Sequence, residues 1–251
     1  MLEHFKGEEV FVKKILDYKD QIDYKQRLIL TSFLDPYHQS IVRSIIGHGD
    51  IQIKEQGGFL NSESKRMILA PDFYEIEESD FEIVVCKIVY AKNFEKLSHR
   101  DILGALMSLG IKRELFGDIV EKDKEFYLAV DRPIYEYLKD HLSMIKRSKV
   151  KFVEWDEEIE VKNDYLVKSF IVSSFRLDKI ISSFYKISRQ KAAEFIRAGH
   201  VKVNHKPVEQ INYLCNNKDI ISFKKHGRVM FVDCNRQTRS NNYVVEGYFY
   251  K

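Results

Sequence analysis

The chain has 251 residues, 44% hydrophobic and 31% charged, with a formal net charge of +3. That balance is globular rather than disordered, and no apolar run reaches the ~20 residues a membrane helix needs. The opening MLEHFKGEEVF carries acids and no apolar core, so no signal peptide is expected, and the widely spaced Cys86, Cys215 and Cys234 argue for reduced thiols and a cytoplasmic setting.

In chain order, three parts and a linker are expected: 1–78, 79–160, a linker at 161–172, and 173–251. The first part opens with a helix from Glu3 to about Tyr24. LTSFLDPYHQSIVRSII holds a second helix, because Asp35-Pro36 is a good helix start. DIQIKEQ alternates like a strand and meets a turn at Gly57-Gly58. NSESKRMILAP reads as a further helix start, stopped before Pro71.

In the second part, FEIVVCKIVY is β-rich, and HRDILGALMSL spaces Ile102, Leu103, Leu106 and Leu109 as one helical face. GDIVEKDKEFYLAV reads as two strands around a charged turn, PIYEYLKDHL as a helix, and VKFVEW as a closing strand. The order β-α-β-β-α-β is the split βαβ, or ferredoxin-like, arrangement. It is shared by RNA-recognition motifs, by enzymes and by ligand sensors, so it fixes no function. The acidic DEEIEVKNDY reads as a linker or the edge of this part.

The modest total charge hides an asymmetry. Residues 173–251 hold 15 Lys+Arg and 6 Asp+Glu, whereas residues 1–172 hold 26 and 32. A basic module on an acidic body suggests a polyanion-binding end. In SSFRLDKIISSFYKI, Leu177, Ile180, Ile181 and Phe184 form one buried helix face. Ser188 is a plausible N-cap for a second helix, with Ala192, Phe195 and Ile196 inward and Gly199 at its end. HVKVN is a strand, His205-Lys206-Pro207 a turn, and DIISFKKHGRVMFV further strand. Arg176, Lys179, Arg189 and Lys191 sit at helix starts, where cations oppose the helix dipole and where backbone N–H groups favour an anion. Phosphate is the expected partner. The alternative is pairing with Asp178, Glu194 or Glu209, but six acids cannot neutralise fifteen bases.

RLDKII, SRQKAAEFIRAGHVKVNHKPV and DIISF, in that order, resemble the RNA-binding domain first seen in small-subunit ribosomal protein S-four. By that resemblance Arg176, Lys179, Arg189, Lys191, Arg197, Lys202 and Asn204 fall on the RNA face. Lys206, Lys224, Lys225 and Arg228, near turns of the same module, complete the expected set. HFKGEEVFVKKILDY, LTSFLDPYHQSIV, GGFLNSESKRMILAPDF and LSHRDILGALMSLGIKRELFGDI resemble the bacterial YlmH family, and with the basic module the likeness spans nearly the whole chain. It implies an α+β protein: a small N-terminal α/β part, a ferredoxin-like middle domain and a C-terminal S-four-type domain. It also implies binding to large ribosomal subunits obstructed by peptidyl-tRNA, in ribosome-associated quality control, with rRNA and tRNA as partners. The family takes its name from a neighbourhood of cell division genes. Ser64 stands where a further cation is expected, and the tail TRSNNYVVEGYFYK is assigned no RNA role.

Other chemistries fit less well. His99-Arg100-Asp101 matches a kinase tripeptide without its partner motifs, so a helix start capped by Ser98 or His99 is expected. Lys65, Arg66, Arg100, Lys112 and Arg113 remain possible additional RNA contacts. His200, His205, Cys215 and Cys234 match no zinc spacing, and GxxxxGK[ST] is absent. No catalytic residue, metal, cofactor, small-molecule substrate or membrane contact is expected, and the free protein is expected to be a monomer. Two alternatives stay open: an rRNA- or tRNA-modifying enzyme with an appended RNA-binding domain, and a division-linked protein acting through protein contacts.

Overall fold

Helix α1 (Glu9–Lys25) begins just after Gly7, whose φ of 93° lies outside helical geometry. The expected start at Glu3 lies outside the residues described by the computed structural model, which are 5, 7–47, 49–91, 95–162 and 164–250. These form two compact units, Met1–Val161 and Lys162–Lys251.

In the first unit, α2 (Pro36–Ile46) starts where Asp35-Pro36 predicts, with the Asp35 carboxylate accepting the His38 N–H at 2.9 Å. Strands β1 (Ile29–Leu30), β2 (Ile51–Gln56) and β3 (Arg66–Pro71) form an antiparallel sheet in the order β1-β3-β2. The segment NSESKRMILAP is therefore not a helix start. Its second half is the central strand, and all six residues of β3 are buried. Met67 and Leu69 face the two helices, while Ile68 and Ala70 meet Ile76 and Phe81 on the other side. A strand buried on both faces reads as a continuous apolar run, which periodicity alone cannot separate from a helix.

The same unit holds β4 (Ile83–Tyr90), α3 (His99–Ser108), β5 (Phe116–Lys122), β6 (Glu125–Asp131), α4 (Arg132–His141), β7 (Met144–Ile145) and β8 (Ser148–Glu154). The strands run β5-β6-β4-β8-β7, all antiparallel. Without the short β7 this is the ferredoxin-like order. Ser98 caps α3, with its backbone N–H donating to the Asp101 carboxylate at 2.8 Å. The charged turn between β5 and β6 places Asp123 and Lys124 at φ of 53° and 62°, as a two-residue hairpin requires. Both helices cover one face of the sheet. Phe33, Phe59, Ile159 and Trp155 gather on the other. Gly57-Gly58 lets Phe59 reach that face: Gly58 has a φ of 85°, and a Cβ on Gly57 would lie 2.3 Å from Ser62 Cβ. Ile159 and Glu160 belong here too, with Glu160 bridging Leu60.

The second unit comprises β9 (Tyr165–Val172), α5 (Leu177–Tyr185), α6 (Arg189–Arg197), β10 (Val201–Val203), β11 (Lys206–Pro207), β12 (Ile220–Phe223), β13 (Gly227–Gln237) and β14 (Tyr243–Tyr250). Its antiparallel sheet has the order β11-β10-β12-β13-β14-β9. Most of the expected linker at 161–172 is thus strand: all eight residues of β9 pair with β14. The polar 156–165 stretch before it masks the strand in the sequence. Leu177, Ile180, Ile181, Phe184, Ala192 and Ile196 pack against alternate residues of the strands, closing a single core.

Candidate nucleic-acid interface

The cations at the helix starts do not stand alone. Asp178, in the first turn of α5, is 2% exposed. Its carboxylate accepts from Arg176 Nε at 3.0 Å and from the Arg189 guanidinium at 2.6 Å. A single buried acid therefore ties the N-termini of both helices together. Burial pushes the Asp178 carboxyl up, and the two arginines outweigh it and hold its pKa below the ordinary value. The α5 N-terminus is also occupied: the Leu177 and Asp178 N–H groups donate to the carbonyls of Tyr213 and Ile211 at 2.8 and 3.4 Å. At α6 the Ser188 hydroxyl accepts the Lys191 N–H at 3.2 Å. The expectation that these termini offer unfilled N–H groups is corrected at α5. Of the pairing alternatives, Asp178 serves both arginines.

What remains outward is considerable. The Arg189 and Arg176 side chains are 57% and 37% exposed, and two hydrogen bonds to Asp178 leave further guanidinium donors. A cavity of about 260 Å³ opens beside Arg189, lined also by Lys179, Ser173, Ser182 and Ser183. Lys179 Nζ donates to Ser173 Oγ at 2.9 Å. Two cations beside the Ser173 and Ser183 hydroxyls suit a phosphate, while the Ser182 hydroxyl donates to the Ile187 carbonyl at 2.7 Å. Sequence reasoning assigns those serines no role, although paired Ser173-Ser174 and Ser182-Ser183 flank the basic residues.

Lys191, Arg197, Lys202, Lys206, Lys224 and Lys225 are exposed, and among the described residues no carboxylate pairs with them. Lys191 and Arg197 ride α6, while Lys202 projects from β10 between buried Val201 and Val203. Arg228 lies on β13 with its guanidinium 4.5 Å from the centroid of the Tyr250 ring. Asn204 holds a turn together at φ 49°. Its amide donates to Asp219 at 2.8 Å, and its oxygen accepts the Ile220 N–H at 2.9 Å.

In the first unit the possible additional contacts separate sharply. Arg66 is 8% exposed and donates inward to the carbonyls of Thr31 and Phe81, so it is a buried structural arginine and no RNA contact. Lys65 pairs with Glu55 at 3.0 Å. Arg113 is exposed as a residue, yet its guanidinium donates to the carbonyls of Phe116 and Gly117 and to Ser64 Oγ. Ser64 itself is buried, with its N–H on the Asp118 carboxylate. Arg100 and Lys112 are exposed. No group of three or more His, Cys, Asp or Glu that could hold a metal ion is found among the described residues. Burial pushes the Cys86 and Cys215 thiols up to about 12. No described helix is long and apolar enough to cross a membrane.

Three family models match consecutive stretches of the chain. "YlmH, N-terminal" matches residues 7–74, "Putative RNA-binding domain in YlmH" residues 77–158, and "S4 domain" residues 175–221. A Bacillus subtilis protein named "Ribosome-associated protein quality control protein P2" is 33% identical over 97% of this chain and 96% of its own length. A solved structure titled "Cell division protein ylmH from Streptococcus pneumoniae" is 30% identical with a TM-score of 0.53, covering 60% of this chain and 92% of that one. With an S4 domain carrying the exposed cations and a relative aligned from end to end, this chain belongs to the YlmH family.

Proposed function

We propose that this protein is a non-catalytic, cytoplasmic RNA-binding factor of the large ribosomal subunit. It contacts rRNA, tRNA or both and serves quality control of stalled peptidyl-tRNA complexes. The observation that carries this reading is the run of exposed cations along α6, β10 and the adjoining turns, on the unit that matches the S4 domain. The name of the Bacillus relative supports the ribosomal setting. Phosphate contact by α6 and β10 fixes register and orientation without reading sequence.

Arg176 and Arg189 are poor probes, because removing either strips a partner from buried Asp178. Lys191→Gln, Arg197→Gln and Lys202→Gln are cleaner. Each should leave thermal melting unchanged, weaken binding to purified large subunits, and flatten the slope of log affinity against log salt by about 0.7–0.9. Subunits carrying peptidyl-tRNA should bind more tightly than empty ones. Unchanged affinity and slope in the triple variant would place the ribosomal contact elsewhere and remove the reading's support.

A further inference from the structure

We infer that the outer face of the six-stranded sheet, opposite α5 and α6, is a stacking platform for unpaired RNA bases, built on Tyr165, Tyr248 and Tyr250. It deepens the reading above and rests on this unit binding RNA.

Strand alternation creates the face. Phe170, Val172, Val245 and Phe249 turn toward the helices, so their neighbours on β9 and β14 turn away. Tyr165 sits opposite Tyr250, and Tyr248 opposite Val167. The Tyr165 ring meets those of Tyr250 and Tyr248 edge-on, with centroids 4.9 and 5.7 Å apart and planes at 74° and 80°. None of the three is buried. The row continues across the sheet through Arg228, which covers Tyr250, then Ser222, then Lys202. Arg236, opposite Val244, marks the other end. Among the described residues in these rows the one carboxylate is Glu246, which accepts from the Tyr248 hydroxyl at 3.2 Å.

Three aromatic rings framed by three cations and one acid suit a single-stranded polyanion whose bases carry π-faces. Exposed Val167 and Ile171 share the face and give it apolar ground beside the rings, and Lys202 is the cation that a protein-binding core would disfavour. Same-face residues on one strand lie ~7 Å apart, so the Tyr248 ring and the Arg228 guanidinium laid over Tyr250 present separate steps to successive bases. A duplex keeps its bases stacked inside and has none to offer. The tyrosines all lie outside residues 175–221, so the platform is an addition to the S4 domain. Lys202 joins it to the cations of α6.

The test uses the full chain, a uridine-rich single-stranded oligonucleotide and a blunt-ended RNA duplex, with binding followed by anisotropy. Tyr165→Ile and Tyr248→Ile keep strand propensity. Each should weaken single-strand binding about tenfold, leave duplex affinity alone, and leave the salt slope unchanged. Tyr248→Phe should bind as wild type does. Photocrosslinking the wild-type protein to a bromouridine oligonucleotide should label peptides holding Tyr165, Tyr248 or Tyr250, which keeps the question answerable if an isoleucine variant folds poorly. Wild-type single-strand affinity in well-folded isoleucine variants, or crosslinks confined to α6, would overturn the platform. So would isoleucine variants that bind RNA normally but lose a protein partner. Loss of subunit binding in the Lys191 and Arg197 variants, with none in the tyrosine variants, defeats the platform alone; no loss in the Lys191 and Arg197 variants defeats the functional reading.

Discussion

Arg176 and Arg189 illustrate how one carboxylate changes the meaning of two cations. Against the helix dipole each is unfavourable, but Asp178 lies in the first turn, where an acid is favoured, and it pairs with both at once, leaving the trio one positive charge. The sequence offers Asp178 as one of three pairing partners; only the fold brings α6 back onto the start of α5. His38 is a second residue whose surroundings set its charge. Its Nδ1 lies 2.9 Å from Asp35 and its Nε2 3.2 Å from Glu8, with Phe11 edge-on at 4.6 Å. The hydrogen bond that His38 donates to Asp35 raises its pKa above the ordinary 6.5, against burial that lowers it, and Glu8 assists. A raised pKa stabilises the fold fully below about pH 6.5 and loses that effect as pH climbs through the folded value. His38→Gln should therefore lower the melting temperature of the first unit most near pH 5.5 and least near pH 8.5. A pH-independent difference would show that charge on His38 does not clasp α1 to α2.

Elements with local punctuation are legible in the sequence. Asp35, Ser98 and Ser188 each mark a helix start that the fold keeps, because a cap needs only a few neighbouring residues. Two strands are not legible. β3 is apolar on both faces, and β9 follows a polar stretch and gains its place only from a partner about eighty residues on. The site divides along the same line. Exposure of Lys191, Arg197 and Lys202 follows from helix and strand phase, whereas the inward turn of Arg66 depends on carbonyls from two distant loops. Gly57-Gly58 is legible as a turn, but its tightness is not. A Cβ at Gly57 would lie 2.5 Å from the Ser64 carbonyl oxygen, and backbone yields poorly. Gly57→Ala should cost the first unit about 1–3 kcal/mol in urea unfolding. An unchanged midpoint would mean that the segment moves aside freely.

At the scale of the molecule, the two units differ in how their chains close. The first strand of the first unit, β1, finds its partner β3 about forty residues on, although β4 reaches farther, to β8. The second unit opens with β9 and completes its sheet only with β14, which lies between β9 and β13. A chain stopped after Asn242 should leave two strand edges unpaired and aggregate or open; sedimentation and hydrogen exchange of such a chain would check this, and a soluble, protected second unit would refute it. The pairing has a consequence during synthesis. Domains emerge and fold from the N-terminal side, yet β9 must wait through some seventy further residues for its neighbour. Until translation passes residue 250, this unit is an open-edged intermediate, and a copy whose own synthesis halts late exposes the strands that a finished copy conceals.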